Sequence, residues 1–184
     1  MHTDASLLVT GISEIATPPS TLPARGRAMG ELEIIPDAAI AIRDGIITWV
    51  GPRTAWNGSA DEELDLGGRA VIPALVDPHT HAVWAGDRLA DFEDRCRGIG
   101  YETILARGGG IRSTVRHTAA ASVAELVELG GPRIDALVAS GAATIEVKSG
   151  YGFDPYAELR SLQAIARLSA AAIARTVPTL LIHI

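Results

Sequence analysis

The sequence has 184 residues, of which 47% are hydrophobic and 4% aromatic, and it carries a net charge of −6. The composition is typical of a globular protein, and the acidity and scarcity of aromatic residues argue against nucleic acid as a partner. No stretch reaches the roughly 18 apolar residues that a membrane span requires. Residues 1–12 lack the basic start of a secretory signal. The single cysteine, Cys96, excludes an internal disulfide and fits a reducing compartment.

The first seventy residues predict β-structure. The run "SLLVTGISEIAT" has the composition of a strand, and the Pro- and Gly-rich residues 17–30 predict a loop. Two alternating apolar runs flank Asp44-Gly45, which predicts a hairpin because both turn positions tolerate positive φ. Gly67-Gly68 predicts a break before Val71–Val76, which has the apolar pattern of a buried strand. We expect residues 1–69 to form part of a small β-domain.

Helical and strand patterns alternate in the rest of the chain. Tyr101–Arg107 predicts a short helix, and Ser122 with Glu125 forms a capping box at the start of a longer one. Residues 130–132, Gly-Gly-Pro, are expected to kink or split that helix. Asp154-Pro155 starts another helix, and "AATIEVKSGYG" and "VPTLLIHI" are apolar strands. This order predicts a parallel α/β sheet or barrel over residues 70–184.

Polar residues gather where the predicted strands end. His79 and His81 follow the first strand, residues 148–151 the second, and His183 lies near the end of the third. Residues i and i+2 of a strand point to the same side, so His79 and His81 form half of a metal site or a plain surface pair. Glu146 is expected to form an ion pair with Lys148, and the carboxyl ends of barrel strands are where chemistry gathers.

The motifs allow a closer comparison. A β-domain followed by "GGRAVIPALVDPHTH" resembles the entry to the barrel of the metal-dependent amidohydrolase superfamily. The strings "HTHAVWAGDR", "GGGIRSTV" and "EVKSGYG" together resemble the imidazolonepropionase family over nearly the whole chain. The resemblance implies a β-sandwich domain and the start of a (β/α)8 barrel. It also implies hydrolysis of the cyclic amide 4-imidazolone-5-propanoate to N-formimino-L-glutamate in histidine degradation.

The resemblance assigns roles to individual residues. It implies that His79 and His81 bind a zinc or iron ion, one per site, and that Arg88 holds the substrate carboxylate. Tyr151 would contact the imidazolone ring, and His183 would bind substrate. The match at His183 is less secure, because "LLIHI" is one residue shorter than the family pattern. A cytoplasmic homodimer acting on a small molecule, with neither nucleic acid nor membrane as partner, is implied as well.

Length qualifies these expectations. An eightfold barrel takes about 250 residues, and the family's third metal-binding histidine and its catalytic carboxylates are expected beyond Ile184. The sequence therefore predicts an N-terminal fragment with about three barrel strands, inactive by itself. Two alternatives remain open: another cyclic amidase or deaminase of the same superfamily, and a fragment without catalytic function.

Overall fold

The computed structural model describes residues 4–19 and 23–182. The chain divides into two compact units, Met1–Pro73 and Ala74–Ile184. The sequence had placed this boundary between residues 69 and 70. Among the described residues, no helix has both the length and the apolar character needed to cross a membrane.

The first unit is built on a four-stranded sheet. Its spatial order is β3-β2-β1-β4, with β1–β2 and β2–β3 antiparallel and β1–β4 parallel. Short 3₁₀ turns occupy Gly26–Gly30 and Arg53–Ala55. Consecutive residues of the two central strands are buried, such as Leu8 and Val9 or Ala38 and Ala39, because both faces of the sheet carry apolar clusters. The strands are β1 Ala5–Thr17, β2 Glu33–Arg43, β3 Ile46–Pro52 and β4 Ala60–Val71.

Of the two glycine-containing turns or breaks predicted in this sheet, one is confirmed and the other is wrong. The predicted hairpin is confirmed: Asp44 and Gly45 join β2 to β3 with φ values of 53° and 76°. The predicted break at Gly67-Gly68 is wrong, because β4 continues to Val71. Both glycines have positive φ, and the pairing of β4 with β1 shifts register beside them. They therefore make an irregularity within the strand rather than its end.

The second unit contains a parallel sheet in the order β5-β6-β7. Helices precede and follow β6, so the crossovers between neighbouring parallel strands are helical. The strands are β5 Leu75–Thr80, β6 Ala142–Lys148 and β7 Arg175–Thr179. The helices are α1 Leu89–Cys96, α2 Tyr101–Ala106, α3 Ile111–Ala120, α4 Val123–Ala139 and α5 Pro155–Ala171.

The core of this unit lies between β6 and the two long helices. Ile145 and Val147 of β6 are fully buried, together with Leu126 of α4 and Ile165 of α5. Residues alternate between the two faces of a strand, so Glu146 and Lys148 point away from these helices. One face of the sheet is thus fixed by packing, while the other carries polar side chains.

Both predicted helix caps of this unit are confirmed. Ser122 Oγ accepts from the backbone N–H of Glu125 at 3.2 Å, and the Glu125 carboxylate accepts from the N–H of Ser122 at 2.8 Å. Asp154 caps α5, with Pro155 in the first turn. Residues 130–132 were expected to kink or split the helix, and the split does not occur, since α4 runs unbroken to Ala139 with Pro132 inside it. Gly130 packs so tightly that an added Cβ would lie 2.8 Å from a methyl group of Leu168, and this packing holds the helix in place.

Two strand predictions are corrected. Val71–Val76 was expected to be one buried strand, yet β5 starts only at Leu75 and the Val76 side chain is 63% exposed. Pro73 has no N–H for a strand ladder, and Val76 pairs with Thr144 on the face turned away from α4 and α5. The last strand, expected over residues 177–184, starts earlier as β7 at Arg175–Thr179 and does not include residues 180–182, while residues 183–184 lie outside the described residues.

Candidate active site

The carboxyl ends of the three parallel strands meet at one edge of the sheet. His79 is the second-last residue of β5, and His81 directly follows that strand. Lys148 ends β6 and is in register with Thr179, which ends β7. The predicted site residues of the first two strands therefore lie at a common edge. His183 lies outside the described residues.

The two histidines are neighbours in space as well as in sequence. Their ring centroids are 5.9 Å apart and the rings meet at 67°. His79 is exposed and His81 is half-buried. Between them, the hydroxyl of Thr80 donates to the backbone carbonyl of Glu146 at 2.6 Å. This bond ties the end of β5 to β6 and fixes the backbone that carries both imidazoles.

A cavity of about 270 Å³ opens beside His81. It brings together three residues that the sequence had singled out separately, His81, Arg88 and Tyr151, although they come from different segments of the chain. The cavity is also lined by two residues that sequence reasoning missed, Trp84 and Thr114.

Tyr151 lies against His81. The centroids of the phenol and imidazole rings are 4.8 Å apart, and the ring planes meet at 41°. Tyr151 belongs to the turn between β6 and α5. The backbone N–H groups of Gly150 and Gly152, on either side of it, both donate to the carboxylate of Glu158 in α5. Glu158 was not predicted, since its role depends on the path of the turn.

Arg88 reaches the cavity from the turn that precedes α1. Its Nε donates to the hydroxyl of Thr114 at 2.9 Å, and Thr114 is buried in α3. A guanidinium held at Nε keeps the fixed fork geometry that recognises carboxylates. The structure therefore gives Arg88 a defined direction, even though the residue is exposed to solvent.

Trp84 makes a cation–π contact with Arg133 of α4. The guanidinium carbon of Arg133 lies 3.7 Å from the centroid of the indole ring. The same guanidinium donates from Nη1 to the backbone carbonyls of Ala82 and Trp84, at 3.0 and 2.8 Å. Burial lowers the pKa of Arg133 from its ordinary value. These contacts fix the segment between the histidine pair and Arg88.

Glu146 and Lys148 form the predicted ion pair, which is confirmed by an Nζ–Oε1 distance of 2.6 Å. The hydroxyl of Thr179 donates to the same oxygen at 2.7 Å. The hydrogen bond from Lys148, followed by that from Thr179, holds the pKa of Glu146 below its ordinary value, and the charge of His79 adds a smaller contribution. This network joins the ends of β6 and β7.

The donor set fits part of a metal centre. Imidazole nitrogen is a preferred ligand of zinc and iron, and His79 and His81 supply two such groups on one short segment. Within residues 4–19 and 23–182, no cluster of three or more His, Cys, Asp or Glu side chains could hold an ion. A catalytic zinc usually has three protein ligands. The expectation that further ligands lie beyond Ile184 stays a prediction.

Solved structures share this arrangement of elements. Guanine deaminase from E. coli matches 93% of this chain and 35% of its own with a TM-score of 0.56 and 16% sequence identity. A triazine hydrolase variant matches 95% of this chain and 35% of its own with a TM-score of 0.53 and 17% identity. The chain thus shares a mixed α/β fold with these two enzymes.

Sequence relatives are more specific. No protein-family model matches. Imidazolonepropionase from Deinococcus radiodurans is 63% identical over 96% of this chain and 43% of its own length, and that from Deinococcus deserti is 58% identical with the same coverage. Imidazolonepropionase from Herpetosiphon aurantiacus is 46% identical over 95% of this chain. The chain is a homologue of imidazolonepropionases and spans about 43% of the length of the first two, so the predicted resemblance is confirmed.

Proposed function

We propose that this chain carries the substrate-binding and part of the metal-binding machinery of an imidazolonepropionase. The reaction would be the hydrolysis of 4-imidazolone-5-propanoate to N-formimino-L-glutamate, in which one water is added across a ring C–N bond. The observation that carries the proposal is the shared cavity of His81, Arg88 and Tyr151. The 63% identity between this chain and an imidazolonepropionase favours imidazolonepropanoate over other cyclic amides as the substrate.

Each residue has a role that its surroundings support. His79 and His81 would supply two of the ligands of one zinc or iron ion, which would provide the activation of water that hydrolysis of a cyclic amide requires. Arg88, held at Nε by Thr114, would bind the propionate carboxylate through its terminal nitrogens. Tyr151 would pack against the imidazolone ring and orient it beside His81. His183 is also proposed to bind substrate.

The size and lining of the cavity suit this substrate. A volume of about 270 Å³ accommodates a five-membered ring with a three-carbon acid chain, at the small end of ligand pockets. The lining combines aromatic rings with a guanidinium, which suits a planar ring that bears a carboxylate. Neutral cyclic amides without an acid group would offer no carboxylate to the terminal nitrogens of Arg88.

We propose the finer architecture and setting on the same basis. The four-stranded sheet would belong to a β-sandwich, and β5, β6 and β7 would be the first strands of a (β/α)8 barrel. The working form would be a cytoplasmic homodimer that acts on a small molecule and binds neither nucleic acid nor membrane. The fold likeness to guanine deaminase and triazine hydrolase supports the architecture, and the sequence relatives support the setting.

The test is a substrate panel with the metal supplied. The protein is stripped of metal, reconstituted with Zn²⁺ or Fe²⁺, and given 4-imidazolone-5-propanoate, a neutral cyclic amide of similar size, and aminated heterocycles. We expect the metal-loaded protein to bind the imidazolone acid specifically. We expect N-formimino-L-glutamate to be formed by a protein that also carries the remaining metal ligands. Preference for an aminated ring with release of ammonia would instead indicate a deaminase. Binding of none of them by a metal-loaded, folded protein would contradict the proposal.

A further inference from the structure

Glu158 is a buried carboxylate that faces backbone rather than a cation. It lies in the first turns of α5 and is only 7% exposed. Carboxylates are rarely buried without partners, and both oxygens of this one are used. Oε2 accepts from the N–H of Gly150 at 2.7 Å, and Oε1 accepts from the N–H groups of Gly152 at 2.8 Å and Phe153 at 3.2 Å. Hydrogen bonds to a charged acceptor are roughly twice as strong as neutral ones.

The three amides bracket Tyr151. Gly150 precedes it, and Gly152 and Phe153 follow it, so a single carboxylate fixes the backbone on both sides of the tyrosine. The turn passes very close to the helix: a Cβ added to Gly152 would lie 2.6 Å from the backbone nitrogen of Glu158. Gly150 and Phe153 both have positive φ, at 122° and 61°. Glycine adopts positive φ readily, but the left-handed backbone of Phe153 is costly and needs strong local partners.

The ends of the turn are anchored separately. The N–H of Ser149 donates to the carbonyl of Thr179 at 3.0 Å, which ties the start of the turn to β7. Asp154 caps α5 by accepting from the N–H groups of Tyr156 and Ala157, which ties its end to the helix. Glu158 holds the residues between these two anchors, the part of the turn that carries Tyr151 toward the cavity.

We propose that Glu158 is a positioning residue. Its carboxylate locks the backbone of residues 150–153, and this holds the phenol ring of Tyr151 at 4.8 Å from the His81 ring on the cavity wall. Glu158 does not line the cavity beside His81, so it acts through Tyr151 and not on a ligand directly. The consequence for substrate affinity rests on the proposed function, whereas the lock itself does not.

The first experiment tests the lock alone. Glu158→Gln keeps the size of the side chain but replaces one acceptor oxygen with an NH₂ group. The variant must therefore lose either the hydrogen bond from Gly150 or those from Gly152 and Phe153. Glu128→Gln, the same change at an exposed position of α4, is the matched control. By hydrogen–deuterium exchange of the 184-residue chain, we expect residues 150–153 to exchange at least about tenfold faster in Glu158→Gln, with β6 and α4 unchanged.

Two results would overturn the lock. One is an unchanged exchange rate over residues 150–153, and the other is an increase of equal size throughout the second unit. If Glu158→Gln does not fold, Glu158→Asp replaces it, because the shorter side chain keeps the carboxylate but withdraws it from the amides of Gly150, Gly152 and Phe153. The same exchange criteria then decide.

The second experiment asks whether Glu158 acts through Tyr151. The dissociation constant of 4-imidazolone-5-propanoate is measured in the metal-loaded protein for the wild type, Glu158→Gln, Tyr151→Ala and the double variant. We expect Glu158→Gln to weaken binding by about tenfold when Tyr151 is present, and by less than about twofold when it is absent. Metal content is expected to stay equal in all four proteins.

The outcomes separate the two proposals. An equal loss of affinity in both backgrounds would overturn positioning through Tyr151. If the folded, metal-loaded wild type does not bind the imidazolone acid at all, the proposed function fails. The exchange measurement still decides the lock in that case, because it uses no ligand.

Discussion

Arg88 and Thr114 are 26 residues apart in the sequence and are joined by a hydrogen bond of 2.9 Å from Nε to the threonine hydroxyl. Thr114 is buried, with 3% of its surface exposed, whereas Arg88 extends into solvent. The buried hydroxyl thus orients an exposed guanidinium toward a cavity that it shares with His81 and Tyr151. A flexible arginine is thereby preorganised before any ligand arrives, which lowers the entropy cost of binding.

Thr114→Val removes this support while keeping the shape of the side chain. We expect the affinity for 4-imidazolone-5-propanoate to fall by about 3- to 10-fold, since the net contribution of such a hydrogen bond is about 0.5–1.5 kcal/mol. Isothermal titration of the metal-loaded protein measures the change. Thr114→Ser keeps the hydroxyl and serves as the control, expected within about twofold of the wild type. Equal affinities in all three proteins would show that Thr114 does not orient Arg88.

Arg88→Ala tests the carboxylate contact itself. We expect substrate affinity to fall by on the order of 10-fold or more, because hydrogen bonds to charged groups contribute about 1.5–3 kcal/mol. Metal content is expected to be unchanged, since Arg88 carries no ligand atom for a cation. Arg88→Lys keeps the charge but loses the fork, so it should recover only part of the affinity. Parallel loss of metal and substrate would contradict the assignment.

The histidine pair is tested by metal content. His79→Ala and His81→Ala are each expected to lower bound Zn²⁺ or iron to a small fraction of the wild-type value, because each removes one ligand. Elemental analysis after desalting gives the readout. His117→Ala is the control, since His117 is an exposed residue of α3 and its ring bonds to Ser113 of the same helix. Full metal occupancy in either variant of the pair would make the motif structural.

The sequence predicts local features of this fold well. The hairpin at Asp44-Gly45 and the caps at Ser122 and Asp154 are all correct, because their hydrogen bonds join residues within a few positions of one another. The gathering of polar residues at strand ends also follows from parallel topology. The start of β5 was misjudged, because an apolar run marks apolar surface without showing which residues pair, and Pro73 delays the pairing.

The supporting residues of the site were harder to find. Thr114 bonds to Arg88, which is 26 residues away in the sequence, and Trp84 bonds to Arg133, which is 49 residues away. No short motif encodes pairs with such separations. Glu158 lies near Tyr151 in the sequence, yet an acidic residue in the first turns of a helix is usually explained by the helix dipole alone. Only the path of the turn shows that its carboxylate holds backbone amides.

Arg133→Met tests how the segment between the histidines and Arg88 is held. Methionine fills similar volume but can neither donate to the carbonyls of Ala82 and Trp84 nor stack as a cation on the indole. We expect destabilisation of about 1.5–3 kcal/mol in chemical unfolding. Arg133→Lys keeps the charge and should recover part of the loss. Arg112→Met, at an exposed position of α3, is the control and is expected to change the free energy of unfolding by less than about 0.5 kcal/mol. An equal loss of stability in Arg133→Met and Arg112→Met would contradict the role of Arg133.

The last prediction concerns pH and the edge that joins β6 to β7. The hydrogen bond from Lys148, and then that from Thr179, lower the pKa of Glu146. A carboxyl whose pKa is depressed by folding stabilises the native state above its unfolded pKa of about 4.3, and this stability is lost as the pH falls toward the folded value. Lys148 is the only lysine of the chain, so its replacement removes the largest cause without changing any other lysine.

We therefore expect the melting temperature of the metal-free wild type to fall more steeply than that of Lys148→Met as the pH drops from about 5 to 3. The two proteins should differ most near neutral pH and converge in acid, where Glu146 is protonated in both. Thermal unfolding followed by circular dichroism gives the two curves. Arg97→Met, which breaks an exposed pair with Glu93, is the control and should leave the wild-type slope intact. Parallel curves for wild type and Lys148→Met would mean that the Glu146 network does not contribute to acid sensitivity.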